Sequence, residues 1–381
     1  MDFDLTEEQR MFKQMVRDFA DNEIAPRAEE LDEKGEFPYA AQAKMAELGL
    51  FGLPVPEEYG GSSSDLVTYV IGVEEISRVS ASLGITMAAH TSLGALPIYY
   101  FGTEDQKQEW LIPLAQGKKL GAFGLTEPDA GSDAGATKTT AVLQNEEWVI
   151  NGTKVFITNS GTDITQHVTI TAVTGDRGGK KEISNIIVPS GTPGFAVAPP
   201  YRKMGWHSSD THELSFSDCR VPAGNLLGDR GEGFKQFLKV LDCGRIGVAA
   251  LSVGIAQACL DESVKYAKTR VQFGQPIGKN QAISFKCADM LVEVELARAA
   301  TIKAAWMADQ GRPYSKEASI AKLFASEVCM RAASDAVQIH GGYGYVEDYP
   351  VCRYFRDSKI LEIGEGTSEV QRIVLARGLG L

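Results

Sequence analysis

Three stretches of the 381-residue chain hold polar groups where chemistry could be done. The segment "GLTEPDAGSDAGA", residues 124–136, offers a run of backbone N–H groups together with Thr126, Ser132 and Asp133. A loop of that composition can wrap an anion or a ring system through its main chain. A second segment, "QIHGGYGYVEDYPVCRYFRD" (338–357), sets Gln338 and a pair of glycines inside an otherwise helical pattern. The third, "EIGEGTSEVQR" (362–372), stands Glu365 between two glycines. Ser368 and Gln371 behind it have capping-box spacing, which predicts a helix through Val370, Ile373 and Val374. Taken singly, the first two read as connecting loops and Glu365 as an acid suited to the positive end of a helix dipole.

Other chemistries find little support. "GEGTSE", "GYGYVE" and "GEGFKQ" each lack the third glycine of the dinucleotide fingerprint, and no phosphate-binding G-x-x-x-x-G-K-[ST] loop occurs. No G-x-S-x-G elbow suggests a hydrolase. His207 and His212 are the only histidines close in sequence, and on a strand that spacing points them to opposite faces. No metal site is expected. The six cysteines are scattered without a C-x-x-C pair, as free thiols in a reducing compartment would be. A net charge of −12 argues against nucleic-acid or anionic-membrane binding. The longest uncharged run, "IGVAALSVGIAQACL" (246–260), is short of the ~20 residues of a membrane span and predicts a buried helix. "MDFDLTEEQRMF" at the N-terminus shows no secretory or transit signal.

The elements that must position these residues follow from periodicity. Thr6 and Gln9 predict a capped first helix, with Phe12, Met15, Val16 and Phe19 on one apolar face. Between about 120 and 225 the period changes to two. "EEWVI", Asn151-Gly152 and "TKVFIT" predict a hairpin with a type I′ turn, and "HVTITAV", "ISNIIV", "GFAVA" and "ELSFSD" predict further short strands. After residue 233 helical spacing returns to the end of the chain, broken at 270–278 and 340–345. The order α, β, α suggests helices clasping a β-module.

Four segments in register resemble the acyl-CoA dehydrogenases over essentially the full length: "GLTEPDAGSDAGA", "RVQFGQPIGKNQAISF" (270–285), "QIHGGYGYVED" continuing to Arg353 and Asp357, and "ILEIGEGTSEVQR". The resemblance implies an α+β fold. Its parts would be an N-terminal all-α domain over 1–120, a middle antiparallel β-barrel domain over 121–228 and a C-terminal four-helix bundle over 229–381. It also implies FAD-dependent oxidation of the α,β bond of an acyl-CoA to the trans-2-enoyl product. Electrons would pass to an electron-transferring flavoprotein, or to oxygen as in acyl-CoA oxidases; a binding protein without turnover is a third possibility, opposed by the intact Glu365. The C-terminal "GLGL", which is no peroxisomal tag, favours the dehydrogenase. A homotetramer arranged as a dimer of dimers is implied. So is a bacterial cytoplasm, or the mitochondrial matrix for a processed eukaryotic form.

The same resemblance assigns residues. Glu365 would be the base that takes the α-proton, with Gly364 and Gly366 letting the main chain approach the thioester. Phe123, Leu125, Thr126 and Ser132 would meet the flavin and its pyrophosphate, with Ser132 also on the substrate side. Phe156, Ile157 and Thr158 would line the isoalloxazine ring. Arg270, Phe273 and Gln281, with Gln338, Gly341 and Gly342, would reach a neighbouring subunit's cofactor, and Thr367 and Glu369 would complete that site. Asp242, Arg245 and Gly366 would face the acyl-CoA, although Asp242 and Arg245 could equally be a buried ion pair. Many relatives have tryptophan where Phe156 stands and an aromatic residue where Gly364 stands. Some carry the base at the position of Gly244, which leaves Glu365 as the candidate here. The segment 84–100 is expected to floor the acyl pocket, for short or medium straight chains.

Overall fold

A computed structural model describes residues 4–176 and 178–381; the first three residues of the N-terminal stretch read above lie outside this set. Helices come first: α1 Glu7–Phe19, α2 Ala28–Lys34, α3 Tyr39–Glu47, α4 Leu66–Val79, α5 Ala81–Ala89, α6 Leu96–Phe101, α7 Glu104–Gln106 and α8 Ile112–Ala115. The start of α1 is the expected capping box, with Gln9 N–H donating to Thr6 Oγ1 at 3.1 Å and Thr6 N–H to Gln9 Oε1 at 3.1 Å. Val16 is fully buried, and Phe12, Met15 and Phe19 pack against the same core. The expected pocket floor, 84–100, spans most of α5, a π-helical turn at His90–Ala95 and part of α6.

Eight strands follow in one sheet: β1 Leu120–Gly124, β2 Thr140–Gln144, β3 Glu147–Thr158, β4 Thr165–Asp176, β5 Lys181–Pro189, β6 Phe195–Val197, β7 Thr211–Pro222 and β8 Leu226–Leu227. Their order is β6-β7-β3-β2-β4-β5-β8, with β1 also paired to β4. Most pairs are antiparallel, but β1 and β2 each run parallel to β4, so the sheet is mixed. The hairpin turn is not at Asn151-Gly152. It is at Asn145-Glu146, where both residues have positive φ (50° and 63°) and Gln144 faces Glu147. Asn151 and Gly152 lie inside β3, at a register shift against β7. Glycine is needed at 152 for another reason: a Cβ there would sit 2.4 Å from Thr139 Oγ1.

Helices then return. α9, Gly233–Thr269, is 37 residues long and is the one described helix long and apolar enough to cross a membrane, yet its apolar stretch is almost wholly buried as core. A small ribbon of β9 Val271–Gln272 and β10 Gln275–Pro276 leads to α10 Gln281–Asp309, α11 Ser315–His340, α12 Pro350–Ser358 and α13 Ser368–Gly378. The largest apolar cluster joins α4, α5, α9, α10 and α11 into one core, while a second fills the sheet. Phe123 of β1 stacks on Phe237 of α9 (centroids 5.6 Å apart) in a smaller cluster, locking sheet to bundle.

Candidate active site

Glu365 lies on the loop ahead of α13. The cap of that helix is Thr367, one residue before the expected Ser368: Thr367 Oγ1 accepts from Val370 N–H at 3.2 Å, and Ser368 is itself buried. Glu365 has a left-handed backbone, φ 52°, as does Gly366 at 91°, whereas Gly364 does not. The unusual conformation therefore falls on the acid itself, and a non-glycine residue held there costs roughly 1–2 kcal/mol. The residue is partly exposed, but its Oε2 is sealed from solvent and has no hydrogen-bond partner. Burial dominates over the nearby Lys322 and Arg245 cations and lifts the carboxyl from 4.5 to about 7.

The space the carboxylate occupies belongs in part to α9. A Cβ on Gly244 would lie 2.0 Å from Glu365 Oε2. Positions 244 and 365 can thus deliver a carboxylate to one place, and only one of them can hold it. One position further along α9, Arg245 is buried and pairs with Asp242 at 2.8 Å, and Ser315 Oγ donates to the same Asp242 oxygen at 3.0 Å. The ion pair exists, and it stands beside Glu365; Arg245 Nε, buried, has no partner.

On the sheet side, Phe123 is buried, Leu125 and Thr126 half-buried and Ser132 exposed. Thr126 C=O accepts from Val155 N–H at 2.9 Å, which ties the 124–136 loop to β3. Beneath it lies a buried pair that sequence reasoning passed over: Lys154 Nζ donates to Glu127 Oε1 at 2.7 Å and to Leu125 C=O at 3.0 Å. Glu127 also accepts from Thr137 Oγ1, Lys138 N–H and Thr139 N–H. At the end of β3, Ile157 points into the sheet core, as alternation alone would have it, and Thr158 pairs with Thr211. Phe156, with φ 62°, is turned out and stays 65% exposed beside Tyr201.

The third group sits elsewhere. Arg270, Gly341 and Gly342 line a cavity of about 760 Å³ with Tyr266, His340 and Tyr343. Phe273, φ 52°, stands wholly exposed on the ribbon beside it, and Gln281 and Gln338 are exposed. Sixteen residues of α11 separate Gln338 from Lys322, roughly 24 Å at 1.5 Å per residue. Lys322 is next to Glu365, so the Gln338 cluster is far from the carboxylate of its own chain. Thr367 and Glu369 remain with Glu365 at the start of α13. His207 lies in a loop near Asp32 and Arg356, His212 pairs with Asp210, and among the described residues no three His, Cys, Asp or Glu could hold a metal.

Family models for the acyl-CoA dehydrogenase N-terminal, middle and C-terminal domains match residues 6–118, 122–219 and 231–380. The chain belongs to the acyl-CoA dehydrogenase family. A probable acyl-CoA dehydrogenase of Bacillus subtilis, YngJ, is 58% identical over the whole of both chains. The solved butyryl-CoA dehydrogenase of Megasphaera elsdenii superposes with a TM-score of 0.97 at 46% identity, covering all of both chains. A chain from a structure described as the electron transferring flavoprotein of Acidaminococcus fermentans matches at TM-score 0.96 and 49% identity, over 100% of this chain and 99% of that one. An acyl-CoA dehydrogenase of Bacillus anthracis, complexed with FAD, matches at 0.92 and 34%, over 99% of this chain and 68% of the other.

As an acyl-CoA dehydrogenase, the protein is an FAD-dependent oxidoreductase acting on an acyl-CoA. Its residues fit the cofactor. Gly341 and Gly342 are open where a Cβ would meet nothing, Arg270 supplies a cation, and the buried His340 turns an unpartnered Nε2 in the same cavity wall. An anionic, partly aromatic ligand would satisfy that chemistry.

Proposed function

We propose that Glu365 is the base of an acyl-CoA dehydrogenase acting on short straight chains. The observation carrying this is the sealed, unpartnered Oε2 above Gly244 with a proton affinity near neutrality. A base works best when its pKa lies close to the working pH. With the thioester's α-carbon against Oε2, Glu365 takes the proton, while the backbone N–H of the same residue, aimed by its left-handed φ, steadies the enolate-like carbonyl. Bound FAD supplies the two-electron acceptor for the β-hydride. Leu125, Thr126, Ser132, Phe156, Ile157 and Thr158 would hold its flavin half, near where Phe123 and Phe237 stack sheet on bundle. Arg270, Phe273, Gln281, Gln338, Gly341 and Gly342 would hold the adenine half of a neighbour's cofactor, with Thr367 and Glu369 completing the site. Asp242, Arg245 and Gly366 would face the acyl-CoA. The distance along α11 and the full exposure of Phe273 support sharing between subunits, in a tetramer divided at residues 120 and 228 into three domains per chain.

The likeness to a butyryl-CoA dehydrogenase favours short substrates, and the match to a flavoprotein-complex chain favours an electron-transferring flavoprotein as acceptor over oxygen. These matches, like the bacterial source of the relatives named above, accord with a bacterial cytoplasm. The test is anaerobic bleaching of the yellow holoenzyme by butyryl-CoA. Glu365→Gln should keep the flavin spectrum and lose bleaching; a variant that bleaches normally sinks the assignment. Turnover in air against turnover on the flavoprotein distinguishes the acceptors.

A further inference from the structure

Lys322, in the first half of α11, is wholly buried, and its ammonium donates to the carbonyl of Gly366 at 2.7 Å. It belongs to none of the flavin or acyl-CoA groups above. Buried lysines are rare without a carboxylate partner, because desolvating a cation is costly. Here the hydrogen-bond acceptor is a neutral peptide. A second wholly buried side chain reaches the same carbonyl from α13: Gln371 Nε2 donates to Gly366 C=O at 2.9 Å and to Glu365 C=O at 3.4 Å. Two buried donors from two helices converge on the carbonyl of Gly366, the residue after Glu365, in the segment with positive φ at both positions.

The charges around Glu365 come from three helices besides its own loop. α4 contributes Tyr69 and α9 contributes Cys243, both pushed upward by burial and therefore neutral at pH 7. α9 also brings Arg245, whose charge is already met by Asp242 at 2.8 Å. α11 brings Lys322, with Glu362 and Glu369 acting on it more weakly than Glu365 does. Lys322 is thus the cation near Glu365 that has no carboxylate bound to it by a salt bridge among the described residues, and its pull on the carboxyl exceeds that of Arg245.

We propose that Lys322 is a positioning residue for the base: its hydrogen bond to Gly366 fixes the left-handed turn at Glu365, and its charge keeps the buried carboxyl able to ionise. This rests on the reading of Glu365 as base. A lysine that merely capped a loose carbonyl would affect stability but leave the proton affinity of Glu365 unchanged.

The test compares holoenzyme of wild type, Lys322→Met, Lys322→Gln and Glu365→Gln. Two readouts are followed against pH: the rate of anaerobic flavin reduction by butyryl-CoA, and the infrared C=O band of the protonated carboxyl that Glu365→Gln removes. Loss of the cation should move the acid limb of the rate profile and the infrared midpoint together by about one pH unit or more. A one-unit move from about 7 makes reduction at pH 7 about fivefold slower. A folded neutral variant with both readouts unmoved overturns the proposal. Bleaching by Glu365→Gln would instead overturn the assignment of the base, so the two failures are distinguishable. Should neither lysine variant fold, the wild-type infrared titration decides. Burial lowers Lys322 to about 8, close above Glu365, so a coupled pair gives a drawn-out transition, and a clean single-site curve counts against the coupling.

Discussion

Glu365 carries a cost that its proposed role as base explains. Below pH 4.5 its carboxyl is protonated in folded and unfolded chains alike and contributes nothing to their difference. Between 4.5 and about 7 the unfolded chain ionises while the folded site holds its proton, so stability falls across that window. The full loss above pH 7 is about 3 kcal/mol. Glu365→Gln should therefore be more stable than wild type at pH 8 by up to that amount, with the gain fading toward pH 5; denaturant unfolding of the two at both pH values checks it. Gly244→Ala acts on the same atom from the other side. Its methyl would sit 2.0 Å from Oε2, so the carboxylate must swing away or the turn must shift. A misplacement of that size costs a rate on the order of 10²-fold. Single-turnover bleaching should show this loss in the reduction rate, with the FAD spectrum kept.

Among the elements, the loop 124–136 is held by backbone bonds and, beneath them, by the buried Glu127–Lys154 pair. Burial opposes ionisation of Glu127, but Lys154 and three further donors outweigh it and hold the carboxyl at about 2. Burial brings Lys154 to about 8 even with Glu127 against it. Removing one partner leaves the other charge unpaired in the interior. Glu127→Ala should lose about 3–5 kcal/mol by denaturant unfolding. It should also shed FAD on gel filtration, because Lys154, left without its carboxylate, no longer has a fixed position from which to hold the Leu125 carbonyl. At the turn between β2 and β3, Asn145 and Glu146 adopt the conformation expected of an Asn-Gly pair. The real Asn151-Gly152 pair sits in mid-strand, where glycine admits Thr139. Dipeptide chemistry names a conformation that a residue tolerates, and close packing across the sheet decides where that tolerance is used.

For the whole molecule, α10 leaves Phe285, Val292 and Leu296, spaced seven and four residues apart, each more than half exposed. The proposed dimer of dimers would cover such a row. Leu296→Arg should halve the assembly from four chains to two in light scattering, and the cofactor should stay bound if its two halves are shared within the surviving dimer. Loss of FAD on dissociation would move the sharing to the other interface.

Local pattern was enough for much of this protein. Capping at Thr6 and Gln9, the apolar face of α1, the buried nature of 246–260 and the β segment between two helical regions all follow from spacing and side-chain type, because each reflects burial on one face of one element. The glycine-flanked Glu365 was visible too, though only as an acid near a helix start, and four motifs in register were needed to raise it above that. Nothing local pointed to Lys322 or the Glu127–Lys154 pair: a lysine in a helix or strand pattern looks solvated until a distant segment covers it. Gln371, seen from its own helix, was a capping partner for Ser368; in the fold it holds Glu365 and Gly366. The sequence by itself determined the family and the order of its elements, and it singled out the acid proposed as base. Only tertiary structure decided the proton affinity of that acid, since it arises from desolvation and from charges on α9 and α11, more than a hundred and more than forty residues away in the chain.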